Sequence, residues 1–163
     1  MTAINGLPAH VLLVHMIVVL APLTALLEIA CAVWPRARRG LLVWLALILA
    51  SAMTVLTPIT ADAGEWLYNL RPNPGPGLRE HAELGGTMIY ISIALLIAAL
   101  VLVGLHRIER RSTSRPQVAG VAVAVVVIAV GIATIVQTYR IGDTGAQSVW
   151  GNEIAHLKQA SAK

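Results

Sequence analysis

The chain has 163 residues, of which 57% are hydrophobic and only 12% charged. Soluble domains carry about 25% charged residues, so an ordinary water-soluble domain is excluded. The net charge of +4 and the pI near 9.8 do not indicate a nucleic-acid binder. The basic residues cluster in two short loops beside apolar runs, where arginine sets topology and meets anionic headgroups.

Four apolar runs occupy residues 7–34, 41–61, 84–105 and 118–138. About 20 apolar residues cross the hydrocarbon core of a bilayer. Backbone polar groups in lipid must pair within their own segment, so each run is expected to be a helix. Membrane strands need only about 10 residues, which these runs far exceed. The expected fold is all-α: an integral membrane, antiparallel four-helix bundle over residues 1–139. A polar tail, 140–163, follows it, in which Asn152 would open a short surface helix. Met1–Pro8 has no basic segment and the first run is too long for a signal sequence, so the first helix is expected to be retained.

The first run carries His10, His15, Glu28 and Cys31. Five residues turn a helix by about 500°, so the two histidine rings point about 140° apart and cannot readily share one small ion. Glu28 lies about five full turns from His10, on the same face. One reading makes it a proton-binding carboxylate. The other, slightly preferred, makes it a neutral glutamic acid bonded to a neighbouring helix. Cys31, the sole cysteine, can form no internal disulfide and reads as a small buried residue.

Arg36, Arg38 and Arg39 follow in the first loop. The second run contains Pro58, which frees the carbonyl of Thr54 and should bend the helix, with Thr54, Thr57 and Thr60 placed to satisfy freed backbone locally. Asp62 and Glu65 close this run, and Arg71–Gly77, rich in proline and glycine, is expected to be a stiff turn. His81, Glu83 and Gly85 open the third run. Arg107, Arg110, Arg111 and Arg115 lie in the loop after it. Gln137, Arg140 and Asp143 close the fourth run. Trp34, Trp44, Trp66 and Trp150 fall at span ends and read as interfacial anchors. Runs one–two and three–four share a span–basic loop–span layout, but their polar residues do not match, so no tandem repeat is expected.

The two arginine-rich loops hold seven basic residues and one acid, Glu109, against five basic residues and six acids on the opposite side. Short basic loops stay in the cytoplasm. Both termini are therefore expected outside, with His10, His15, Asp62, Glu65, His81, Glu83, Arg140 and Asp143 converging at the outer end. Ionisable residues in or beside spans are costly, and convergence would give them partners.

Three functions compete for this constellation. The first is electron transfer through a b-type haem held by His81 and by His10 or His15, with Gly85 letting the ring approach the backbone and Arg140 meeting the propionates. A small metal ion on His10, His15 and His81 ranks behind haem. The absence of phenylalanine counts against haem. The second is a proton pathway or transporter built around Glu28. The third is an accessory subunit of a larger membrane complex, without a cofactor. No Gly-x-Ser-x-Gly or His-Glu-x-x-His occurs, which counts against a soluble-type hydrolase; whether the chain is an enzyme by itself stays open, with a non-enzyme the preferred reading. The expected partners are the lipid bilayer and other membrane subunits or a second copy, not nucleic acid.

The elements Leu7-Pro8-Ala9-His10 through Val14-His15, Ala63-Gly64-Glu65-Trp66, His81-Ala82-Glu83-Leu84-Gly85 and Arg140-Ile141-Gly142-Asp143-Thr144-Gly145-Ala146 resemble those of domain-of-unknown-function family 2231. The resemblance runs from His10 to Trp150. It implies a bacterial multi-span protein of the plasma membrane and carries no activity with it. Ten arginines against two lysines fit a GC-rich bacterium.

Overall fold

A computed structural model describes residues 3–4, 7–111 and 117–161. Two short strands, β1 (Ala3–Ile4) and β2 (Leu7–Pro8), pair antiparallel and lead into α1 (Ala9–Val33). The short α2 (Pro35–Arg39) precedes α3 (Leu42–Asn69), and α4 (Pro76–Arg111) and α5 (Gln117–Ser161) complete the chain. Four of these helices are long and apolar enough to cross a membrane.

Proline sets the boundaries. Trp34 is extended, with φ −118° and ψ 98°, because a residue before proline is pushed out of the helical region. That ends α1 and lets Pro35 open α2. Pro76 opens α4 in the same way, and the Gly75 carbonyl accepts from the amides of Leu78 and Arg79 at 3.1 and 3.2 Å. The stiff turn is therefore shorter than expected, since Pro76 and Gly77 are already helical.

The helices also outrun the apolar runs. α3 continues past residue 61 to Asn69, and α4 begins well before residue 84. α5 continues to Ser161, so residues 140–161 prolong the fourth helix instead of forming a separate tail with its own short helix. No proline follows Pro116, and single glycines such as Gly142, Gly145 and Gly151 cost only about 1 kcal/mol each in a helix. α3 runs on through Pro58. There the Thr54 hydroxyl bonds the Ala50 carbonyl at 2.9 Å and that of Ser92 at 3.2 Å, tying α3 to α4.

α1 and α4 each pack along both α3 and α5 and occupy one diagonal of the bundle. The starts of α1 and α4 lie beside the later parts of α3 and α5. Ala21, Ala25, Ala46, Ala50 and Ala99 are buried at the contacts, where small side chains let helices approach closely. Larger apolar groups such as Val19, Ile48 and Val125 point outward. That is the lipid-facing distribution, because the bilayer does not drive aliphatic side chains inward.

Candidate functional site

Two histidines from opposite corners of the bundle meet at one end. His10 stands on the first turn of α1, half-buried, with Nδ1 2.9 Å from the Thr60 carbonyl in α3. His81 stands near the start of α4, also half-buried, with Nδ1 3.0 Å from the Ile141 carbonyl in α5. A carbonyl only accepts, so each Nδ1 carries a proton, which in the neutral imidazole leaves the lone pair on Nε2. Among the described residues neither Nε2 has a hydrogen-bond partner. The ring centres are 6.3 Å apart, with their planes at 79°.

Each ring also rests against a glycine one turn beyond its carbonyl. A Cβ added at Gly64 would come within 2.8 Å of the His10 ring, and one at Gly145 within 2.9 Å of the His81 ring. Either clash is closer than real Cβ contacts allow, so both positions require glycine while the rings stay on their carbonyls. The Thr144 hydroxyl adds a contact of 3.4 Å to His81 Nδ1.

The wider convergence expected from the sequence does not form. His15 is exposed, and its Nδ1 meets the Val11 carbonyl of its own helix. Asp62, Glu65, Glu83 and Asp143 are exposed, and Asp143 accepts from Gln147 Nε2 at 2.9 Å. Arg140 is exposed and makes no ion pair among the described residues. These charges ride on helix ends that extend beyond the apolar runs, where water solvates them and an ordered pair gains little. Nor do His10, His15 and His81 form a three-ligand metal site: among the described residues no such group of three or more stands together. At Gly85 an added Cβ would meet nothing within 4 Å, whereas the histidine rings themselves come close to the backbone at Gly64 and Gly145.

The apolar helices and the histidine and glycine elements placed above fall within one family model, described as a predicted membrane protein, which matches residues 6–158. The chain belongs to the DUF2231 family. Among curated proteins and solved structures nothing matches it. The match establishes a DUF2231 membrane protein and assigns it no chemistry.

Two further polar groups of this DUF2231 protein went unread in the sequence. At the opposite end of the bundle Arg38 is only 3% exposed and Glu109 only 7%. The guanidinium grips the carboxylate with Nη2–Oε1 at 2.6 Å and Nε–Oε2 at 3.4 Å, while Nη1 donates to the carbonyls of Cys31 and Ala32 at 2.7 and 3.1 Å. A single acid among seven basic loop residues was the available signal. Nearby in sequence, His106 is buried with its ring edge-on to Trp44, and Arg107 lies over that indole at 5.7 Å. Glu28 is fully buried, as a face turned into the bundle requires. The expected bond to a neighbouring helix is absent: neither carboxyl oxygen has a hydrogen-bond partner among the described residues.

Proposed function

We propose that this is an antiparallel four-span protein of a bacterial plasma membrane, both termini outside, whose histidine pair holds a b-type haem for electron transfer. His10 and His81 would be the residues that hold it. The observation that carries the reading is the ring separation of 6.3 Å. Two imidazoles that held one metal ion between them would stand at about this separation, because a metal–nitrogen bond is about 2 Å. Rings in direct edge contact can stand at a similar distance. The metal reading is favoured by the fixed tautomer, since a ligating histidine characteristically gives its other N–H to a carbonyl. It is also favoured by each Nε2 having no hydrogen-bond partner among the described residues.

When bound, haem iron supplies one-electron chemistry. The chain's own residues hold and orient. Thr60 and Ile141 fix the rings through their carbonyls, Gly64 and Gly145 admit them, and Arg140, next to Ile141, is free to meet a propionate. Of the two first-helix candidates, His10 would hold the haem; His15, exposed and turned to its own helix, would not. Protein purified after expression with ample haem should show a Soret band. His10→Ala and His81→Ala should each abolish it, and His15→Ala should leave it intact. A colourless wild-type protein that takes up no haem on titration would overturn the reading in favour of a cofactor-free accessory subunit.

The topology has its own test. Cysteine placed at exposed Gly75 should react with an impermeant maleimide added to intact cells. Cysteine at exposed Arg36 should react only after permeabilisation. The native Cys31 is buried and gives little background. The reverse pattern would invert the orientation.

A further inference from the structure

The surroundings of the two histidines are built to the same plan. In the first half a histidine on α1 meets a carbonyl on α3, and a glycine one turn later backs the ring. In the second half α4 and α5 do the same. The glycines sit in matching words, Asp62-Ala63-Gly64 and Asp143-Thr144-Gly145. The correspondence continues through the core. Ile17 and Met88, Thr24 and Leu95, and Cys31 and Leu102 stand at the same offsets from His10 and His81, and all six are buried. Counting back from Gly64 and Gly145, Thr60 and Ile141, Thr57 and Thr138, and Met53 and Thr134 are likewise buried at equal offsets. Thr57 and Thr138 even make the same bond, hydroxyl to the carbonyl four residues back, at 2.7 and 2.8 Å. The residue types diverge, but the registers agree.

We infer that the chain is a duplicated helical hairpin and that its ligand site lies on the two-fold axis between the copies, as two equivalent half-sites. Because α1 corresponds to α4 and α3 to α5, that axis runs along the helices and puts both histidines at one end. An inverted repeat would have sent them to opposite ends. A ligand on such an axis is approached identically from both sides. The class that fits has two equivalent opposed faces: a metal centre, bare or in the plane of a macrocycle. An asymmetric small molecule would be bound by one half and clash with the other. The nature of the occupant rests on the haem reading above. The equivalence of the half-sites does not.

Two paired measurements test it. Gly64→Ala and Gly145→Ala each push a Cβ into a ring pinned to a carbonyl, so each should lower the melting temperature of the purified protein by several degrees, and by the same amount. Gly85→Ala, with open space around it, should not lower it. In haem-loaded protein, His10→Met and His81→Met should give superimposable spectra and equal positive shifts in midpoint potential, since methionine ligation raises it. Matched glycine effects in a protein that binds no haem would support the duplicated half-sites while defeating the haem reading. A tolerated alanine at one glycine and a damaging one at the other, or methionine variants with unlike spectra, would overturn the equivalence even if haem binds.

Discussion

Arg38→Ala destabilises the bundle by about 3–5 kcal/mol, the cost of leaving a buried charge without its partner. Glu109, only 7% exposed, would lose both arms of its guanidinium fork. Arg39, whose Nε lies 3.9 Å from Oε2 and which is 41% exposed, is too distant and too solvated to replace them. The same change strips two donors from the carbonyls of Cys31 and Ala32, which close the last turn of α1. Lysine cannot rescue the site, because a point charge on a flexible stem cannot serve a carboxylate and two carbonyls at once. Glu109→Ala should cost about as much as Arg38→Ala. The pair Arg38→Met with Glu109→Met should recover part of the loss, since two apolar groups leave no buried charge. Recovery stays incomplete because the α1 carbonyls remain uncapped. Equilibrium unfolding in mixed micelles measures all four. Single variants within about 0.5 kcal/mol of the wild type would mean that the pair is solvated and contributes as little as a surface bridge.

How much of this was legible in the residues depends on which partner each group uses. The four membrane-length helices follow from the apolar runs alone, and the end of α1 follows from Trp34-Pro35. His10 and His81 were both singled out, because a histidine at the start of a span is an unusual residue. Their actual partners were not legible. Thr60 and Ile141 contribute backbone carbonyls, which no residue type announces. Gly64 and Gly145 lie in stretches that hydropathy assigns to the ends of spans, so run boundaries at 61 and 138 cut the site in half. Gly85 shares a helix with His81 but packs against neither histidine ring. The carboxylates misled for the opposite reason. Asp62, Glu65, Glu83 and Asp143 are conspicuous in sequence, yet the helices extend far enough to leave them exposed. The shared register of the two hairpins does not show in the sequence because the buried residue types differ in polarity. Thr24 and Leu95 differ in polarity and coincide in register, and register is what packing preserves.

In the register that matches His10 to His81, Glu28 corresponds to Ala99, which is buried and has no polar side chain. A fully buried carboxyl whose two oxygens have no partner among the described residues carries a penalty, about 1–3 kcal/mol for each buried polar atom left unsatisfied. Glu28→Leu, which keeps most of the volume and removes both oxygens, should therefore stabilise the protein by about 2 kcal/mol or more. Glu28→Gln keeps the polarity and should bring no such gain, because its amide would be orphaned in the same place. Glu28→Ala separates the two contributions, for it removes the oxygens but opens a cavity, and the cavity costs a few kcal/mol in a packed core. The expected order of stability is leucine above wild type, with alanine below leucine. Measured by reversible unfolding, a leucine variant less stable than the wild type would show that the carboxyl is satisfied by bound water or a cation, and would turn Glu28 from a structural liability into a binding residue.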